Sequence, residues 1–314
     1  MNRILSILLC CCIFLSVFAL AGCQHGNPDN ELLNVLILSG KNNHDWQKTT
    51  PLMIRILKDS KLFTVQITEK PDTLSYNTFK KYDLIISNWN SWPDNNLRMS
   101  VRWEHNFVKY VNEGGGALFF HAGASSFYSW EDYHRIGIGR WGQKTTHGTP
   151  TKGCVYGLDQ SHPITEGMRS FYITDEIWEK TDIYPEAKVI GSLSATDVKD
   201  GHPVDVPALF VNQTGKGRSF YTIMGHDERA LLNSGFQIIL LRAAQWCANR
   251  KVTIELPYEL KEMKSRTENQ LSWNETDTSL ALINHSEIIW KFNYNNRFGK
   301  PYFHPLTVNR SVLT

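Results

Sequence analysis

The chain has 314 residues, of which 41% are hydrophobic, so it can form one large core and a smaller additional segment. Its 33 Lys and Arg residues nearly balance its 31 Asp and Glu residues, and the formal net charge of +2 comes without a basic run. This charge pattern argues against a nucleic-acid partner. The 10 Trp and 12 Tyr residues fit either a site for flat ligands such as sugars or an aromatic core and rim.

The N-terminus has the pattern of a bacterial lipoprotein signal peptide over residues 1–22. A short basic start, Met1–Arg3, is followed by the apolar stretch Ile4–Leu20 and by small residues before Cys23. We therefore predict lipidation of Cys23, with residues 23–32 as a tether, while a plain transmembrane anchor is the alternative. Both patterns predict an exported protein. The first places it in the bacterial cell envelope, attached to the membrane on the periplasmic or cell-surface side.

Predicted strands and helices alternate in the first part of the chain. The strands are apolar runs that end in polar or aromatic loops, and helical periodicity lies between them. The predicted strands are Asn34–Gly40, Phe63–Thr68 and Tyr82–Ser87, and the predicted helices run from Thr49 or Thr50 to about Leu57 and from about Leu97 to Asn112. This alternation is typical of βαβ units, and it predicts an α/β fold with an open, mostly parallel sheet and helices on both faces.

A fourth predicted strand follows a turn of three glycines, Gly114–Gly116, and ends at His121. Small residues follow His121, so the strand presents this side chain at the carboxyl edge of the sheet, where open α/β sheets bind their ligands. The loops after the first and third strands carry His44 and Asn88 at the same edge. We therefore predict that these side chains, distant in sequence, converge with His121.

The second half of this domain brings further polar groups to the same edge. The irregular stretch 128–159 contains His147 and is interpreted as a cap or loop over the edge. Glu176 lies beyond it, and a strand from residue 219 leads to His226. A helix from about residue 235 to 248 closes an α/β domain that we predict to span residues 33–250.

The remainder of the chain changes in character. Residues 251–278 are rich in Glu, Lys, Asn and Thr, which predicts a linker. Residues 279–314 alternate like strands, but two or three strands seldom fold alone. We interpret them as an incomplete β-rich segment that leans on the main domain or belongs to something larger.

Imidazole and carboxylate groups from separate loops can do two kinds of chemistry at the sheet edge. They can hold a divalent metal such as zinc, usually with three protein ligands and one open position. They can also act without a metal as general acids and bases near neutral pH, and the sequence leaves both possibilities open. The candidate catalytic residues are His121, His226, His44 and Glu176, and the candidate metal ligands are His121, His147 and His226.

Each of these residues also has a structural interpretation. His121 and His226 can be hydrogen-bonded core histidines, and His44 can be an exposed loop residue. Glu176 can pair with Arg218 on the surface. These alternatives need neither a ligand nor a substrate.

Tryptophans in predicted loops are candidates for stacking on sugar rings. A ring that lies in a loop beside polar groups suits the apolar face of a pyranose. The candidate substrate-binding residues are Trp46, Asn88, Trp89, Trp130 and Asp227. We therefore expect a carbohydrate ligand, and the sequence leaves the oligomeric state open.

Together these pieces resemble the ThuA-like family, named after trehalose utilisation, whose fold resembles the flavodoxin-like sheet of class I glutamine amidotransferases. The resemblance covers about residues 33–250. The matching pieces are the His44 loop, Gly114–His121, His147, His162–Thr165, Asp175–Glu176 and Gly215–His226. The amidotransferases carry a nucleophilic Cys after the central strand, whereas this chain has His121 there without a Cys nearby. This departure excludes thiolate chemistry at the position.

The resemblance implies a role in carbohydrate utilisation, because members of the family accompany sugar oxidoreductases and are connected with trehalose-like or 3-keto glycosides. We therefore expect an isomerase, lyase or hydrolase, and the sequence does not rank these reactions. A non-catalytic carbohydrate-binding lipoprotein is the alternative, and an inert module retained from an enzyme is a third. The tail Trp290–Thr314 resembles the opening strands of the PmoA-like family.

Overall fold

A computed structural model of the protein describes residues 32–94, 96–196, 202–262, 271–284, 287–295, 299–308 and 311–313. The predicted signal peptide, Cys23 and nearly all of the predicted tether lie outside the described residues, so these predictions stay untested. Within the described ranges, no helix combines the length and the apolar character that a membrane span requires.

The α/β part is built on a nine-stranded sheet, with two small two-stranded sheets and turns around it. Its strands are β1 (Leu33–Leu38), β2 (Phe63–Thr68), β3 (Leu84–Ser87), β4 (Gly116–Phe120), β5 (Gly139–Arg140), β6 (Thr146–His147), β7 (Thr151–Tyr156), β8 (Phe171–Asp175), β9 (Trp178–Glu179), β10 (Asp182–Ile183), β11 (Lys188–Ala195), β12 (Val204–Thr214) and β13 (Gly217–Thr222). Its helices are α1 (Trp46–Asp59), α2 (Tyr76–Phe79), α3 (Val101–Asn112), α4 (Glu131–Gly137), α5 (Glu228–Leu231) and α6 (Ser234–Cys247).

The strand order of the large sheet is β2-β1-β3-β4-β13-β12-β11-β7-β8. The first five strands in this order are parallel, which confirms the predicted open, mostly parallel sheet. The other four continue the sheet in antiparallel pairs. The antiparallel direction of this extension was not predicted from the sequence. Antiparallel neighbours need only a short hairpin, as between β12 and β13, so no helical crossover marks them in the sequence.

The helices pack in two groups on the sheet. α1, α5 and α6 contact one another, and α3 contacts α2 and α4. Because α4 and α6 both contact β4 and β13 while belonging to different groups, they cover opposite faces of the sheet. The buried side of α3 shows why it forms, since Trp103, Phe107 and Val111 recur at helical spacing and the Ser100 hydroxyl accepts the Trp103 amide.

The glycine turn before β4 is required by close packing. A Cβ on Gly115 would lie 2.2 Å from the ring of Tyr110, and a Cβ on Gly116 would lie 2.5 Å from the carbonyl oxygen of Cys247. Gly114 adopts a φ of 120°, which L side chains rarely adopt. The turn therefore fixes how β4 enters the sheet between α3 and α6.

The C-terminal part forms a sheet of its own. A five-stranded antiparallel sheet contains β14 (Leu271–Thr276), β15 (Ser279–Asn284), β16 (Glu287–Asn293), β17 (Tyr302–Val308) and β18 (Ser311–Leu313). β14 thus lies inside the predicted linker 251–278, because its pairing with β15 and not its polar composition defines it. The start of that predicted linker also packs on the main domain, where Arg242 donates to the carbonyl of Ile254.

Candidate metal centre

Three parallel strands deliver histidines to one edge of the sheet. His44 lies in the loop after β1, His121 directly follows β4, and His226 follows β13. The Nε2 atom of His121 lies 3.3 Å from Nε2 of His44 and 3.3 Å from Nδ1 of His226. Parallel strands place their carboxyl ends at the same edge, which brings these sequence-distant rings into contact.

Glu176 completes this group from the far end of the sheet. It follows the edge strand β8, and its side chain is 7% exposed. Its Oε2 atom lies 3.2 Å from Nε2 of His121, 3.4 Å from Nδ1 of His226 and 3.9 Å from Nε2 of His44. One ligand atom from each of these four residues lies within 4.8 Å of all the others. We call these four residues the histidine–glutamate cluster.

The proton of His121 is placed by its backbone neighbour. The residue has a φ of 46°, an uncommon conformation for a non-glycine residue, in the sharp turn after β4. Its Nδ1 lies 2.7 Å from the carbonyl oxygen of Ile223, which can only accept, so Nδ1 carries the proton. Burial lowers the pKa of His121 to about 4, so the neutral ring presents the lone pair of Nε2 to the cluster.

The tautomer of His44 is fixed in the same way. The side-chain oxygen of Asn42 accepts the backbone amide of His44 at 3.0 Å, which identifies this atom as the amide oxygen. The same oxygen lies 3.1 Å from Nδ1 of His44, so Nδ1 donates to it. Nε2 of His44 therefore also turns a lone pair toward the cluster.

The electrostatics of the cluster favour a cation. Burial alone would raise the pKa of Glu176, but the surrounding imidazoles of His121, His226 and His44 hold it below its ordinary value. The ionised carboxylate in turn raises the pKa of His226, mainly through their hydrogen bond. Nε2 of His44, Nε2 of His121 and Oε2 of Glu176 therefore direct lone pairs at one another. Too few protons lie between these atoms for a hydrogen bond at each contact. A positive charge relieves this repulsion.

The spacing of the ligand atoms fits a metal ion. Around a tetrahedral zinc with Zn–N distances of about 2.0–2.1 Å, neighbouring ligand atoms lie about 3.3–3.4 Å apart. Four of the spacings given above are 3.2–3.4 Å, and the His44–Glu176 spacing is 3.9 Å. The hydrogen bonds that orient His121 and His44 from behind are also typical of metal-binding histidines. The residues present therefore fit a divalent cation.

His147, a predicted metal ligand, lies beside the cluster and is not one of the four residues whose ligand atoms meet. Its Nδ1 lies 2.7 Å from Oε1 of Glu176 and 2.8 Å from the carbonyl of Gly148. It donates to the carbonyl of Gly148 and lies beside Oε1 of Glu176, the carboxylate oxygen that does not face the other three histidines. Trp178 donates to the other oxygen of Glu176 at 3.0 Å. Both contacts hold the carboxylate in place, and the third histidine of the cluster is His44, which the sequence predicted as a catalytic residue.

A cavity of about 170 Å³ opens onto the cluster. His44, His147 and Glu176 form part of its wall, so a bound cation would face the cavity. Ala122, aromatic rings and small polar side chains form the rest. The aromatic and polar residues are Trp92, Tyr128, Trp141, Trp178, Asn43, Asn90 and Ser125.

The five predicted substrate-binding residues do not line this cavity. Trp89 and Trp130 are 6% and 5% exposed and pack in an aromatic core around Phe127. Asn88 is buried and donates to the hydroxyls of two threonines of α1. The other two lie at helix starts: Trp46 is the first residue of α1, and Asp227 caps α5.

A loop position in the sequence does not show where a side chain points, so the sequence could not show which of these residues line this cavity. One local signal was available, since alternate residues of an extended segment share a side. Trp178 stands two residues after Glu176, and both line the cavity.

Comparisons with known proteins agree with this fold. The family model described as "ThuA: Trehalose utilisation" matches residues 34–247. A ThuA-like protein from Parabacteroides merdae is 24% identical with a TM-score of 0.63, and the match covers 74% of this chain and 96% of that one. A ThuA-like protein from Bacteroides uniformis is 22% identical with a TM-score of 0.53, covering 71% and 95% of the two chains. The cytoplasmic protein STM3548 from Salmonella typhimurium is 11% identical with a TM-score of 0.51, covering 69% and 99%.

At these identities the solved structures show the fold alone, and no curated protein matches the chain. The family model, however, matches more than half of the chain. The protein therefore belongs to the ThuA family of trehalose utilisation, a membership that supports a carbohydrate-related role.

Proposed function

We propose that the protein is an exported, lipid-anchored enzyme that acts on a carbohydrate at a divalent metal centre formed by the histidine–glutamate cluster. The observation that carries the proposal is the meeting of three imidazole nitrogens and one carboxylate oxygen within 4.8 Å, beside a cavity. A cation bound there would polarise a hydroxyl or carbonyl oxygen of the substrate. Zinc suits this nitrogen-rich ligand set better than magnesium, which prefers oxygen ligands.

The cavity fits one sugar ring better than a whole disaccharide. Its volume of about 170 Å³ is below the range of about 300–1,000 Å³ that is typical for drug-sized ligands. Trp141 and Trp178 meet edge to face, with ring centroids 5.0 Å apart, and offer apolar surface to a pyranose. Asn43 and Asn90 supply hydrogen-bonding groups on the cavity wall. A trehalose-like or 3-keto glycoside would place one ring in the cavity and extend the other outward.

His147 is placed for proton transfer with the substrate. Its Nδ1 is held by Glu176 and by the carbonyl of Gly148, which leaves Nε2 for a group in the cavity. Its side chain is 39% exposed, so a substrate can reach it. Proton transfer beside a polarised sugar oxygen serves isomerisation, elimination or hydrolysis.

Metal content and turnover together test the proposal. We expect elemental analysis of the purified protein to find one divalent metal per chain, and His121→Ala and His226→Ala to lose it. His105→Ala is the matched control, because His105 is an exposed residue of α3. Turnover is then measured on glycosides and 3-keto glycosides. Metal in neither the purified nor the zinc-supplemented protein would overturn the metal centre, and sugar binding without product would indicate the carbohydrate-binding alternative.

A further inference from the structure

A second carboxylate, Asp175, lies buried next to Glu176 at the end of β8. The residue is 1% exposed. Its side chain accepts three backbone amides: Oδ2 lies 2.7 Å from the nitrogen of Gly225, and Oδ1 lies 3.1 Å from that of His226 and 2.8 Å from that of Glu176. One side chain thus ties together the backbones of two residues of the histidine–glutamate cluster.

No β-ladder could supply this connection, because β8 and β13 are not neighbours. In the sheet order, β12, β11 and β7 stand between them. The loop that carries His226 leaves β13 through Gly225, whose φ is 111° and whose Cβ, if it had one, would lie 2.7 Å from the ring of Phe120. Backbone amides in such a turn need acceptors, and here Asp175 provides them.

We propose that Asp175 is a positioning residue that sets the spacing between Glu176 and His226 in the metal centre. The proposal rests on the proposed function, because it assigns a role toward the same cation. Asp175 holds the two backbones so that Oε2 of Glu176 and Nδ1 of His226 lie 3.4 Å apart.

The substitution Asp175→Asn separates this role from packing. The amide has nearly the same shape, but it offers one oxygen acceptor and turns an NH2 group toward a backbone amide. At least one of the three hydrogen bonds is therefore lost, and the loop of His226 must shift. Changes in the groups that orient metal ligands typically cost about 10–100-fold in metal affinity.

Cobalt binding is the test, because the visible spectrum of Co²⁺ reports the geometry of its ligands. Co²⁺ is titrated into the metal-free wild type, Asp175→Asn and the control Glu104→Gln. Glu104 is also a buried carboxylate, but it pairs with Arg98 at α3. We expect Asp175→Asn to bind Co²⁺ about 10–100-fold more weakly and with a changed spectrum. Glu104→Gln should keep the affinity and the spectrum of the wild type, even if its thermal stability falls.

The outcomes separate this inference from the proposed function. Wild-type affinity and spectrum in Asp175→Asn would overturn the role of Asp175 while leaving the metal centre in place. Absence of Co²⁺ binding by the wild type would overturn both. If Asp175→Asn does not fold, Asp175→Glu carries the test, because it keeps the charge and displaces the acceptor oxygens. An unchanged spectrum in that variant would contradict the proposal, and a changed one with weaker binding would support it.

Discussion

His121 donates from Nδ1 to the carbonyl oxygen of Ile223 across 2.7 Å, and this hydrogen bond leaves Nε2 as the ring nitrogen that faces the rest of the histidine–glutamate cluster. The bond joins the ends of β4 and β13, which are neighbours in the parallel part of the sheet. The strand pairing that builds the core therefore also orients the central ligand atom of the histidine–glutamate cluster.

His147→Phe is expected to weaken metal binding without abolishing it. The phenylalanine keeps an aromatic ring beside Trp141, but it removes the ring nitrogen that lies 2.7 Å from Oε1 of Glu176. We expect a loss of about 10-fold to 100-fold in affinity for Zn²⁺, compared with complete loss in His121→Ala. Competition with a chromophoric chelator measures this difference, and His105→Phe serves as the control. Equal loss in His147→Phe and His121→Ala would make His147 a ligand after all.

Trp141 and Trp89 both lie in loops, but their substitution by alanine should affect different properties of the protein. Trp141 lines the cavity, so Trp141→Ala should weaken the binding of trehalose by about 5–10-fold. Trp89 is 6% exposed and stacks on Phe127 at 5.1 Å, so Trp89→Ala should cost about 3–5 kcal/mol of unfolding free energy. Calorimetry and urea unfolding measure the two effects. The reverse pattern would place the substrate elsewhere.

Gly123→Ala should disturb the turn that carries His121. A Cβ on Gly123 would lie 2.1 Å from the carbonyl oxygen of Ser87, and this backbone atom cannot move aside. We expect a loss of about 1–3 kcal/mol in unfolding free energy together with weaker metal binding. Gly137→Ala is the matched control, because its Cβ would meet the side chain of Ala124 at 3.6 Å, an ordinary contact. Thermal unfolding that does not distinguish the two variants would contradict the geometry of the turn.

Stability should fall as the pH drops from about 6.5 to about 4. Burial lowers the pKa of His134 and of His162 to about 4 in the folded protein, below the ordinary value of 6.5. The unfolded chain therefore takes up protons in this window while the folded chain does not, and the stability that is fully present above pH 6.5 is progressively lost. For His134 the loss is about 3 kcal/mol.

Urea unfolding of the metal-free protein as a function of pH measures this effect. In His134→Gln, whose side chain can still donate to the carbonyl of Phe127, the slope between pH 6.5 and pH 4 should be smaller. The exposed His105 provides the control, and His105→Gln should keep the wild-type slope. A wild-type slope in both variants would show that His134 does not contribute.

The sequence by itself determined the parallel half of the sheet and the location of its functional edge. Apolar runs separated by helical periodicity predicted β1, β3 and β4, and the order of parallel strands then required their following loops to meet. The sequence identified His44, His121 and His226 in this way, because each lies directly after an apolar run or in the loop that follows one. These signals are local, since the spacing of side chains along a strand or a helix is set by the backbone geometry of that element.

Only the tertiary structure decided which groups complete the cluster and which rings face the cavity. Glu176 follows β8, the edge strand of the antiparallel extension, far from β1 and β4 in the sheet. His147 lies against Oε1 of Glu176, outside the cluster. Trp89 and Trp141 both lie in loops, yet one packs in the core and the other lines the cavity. The direction of a loop side chain depends on contacts with residues distant in sequence, and no periodicity along the chain encodes those contacts.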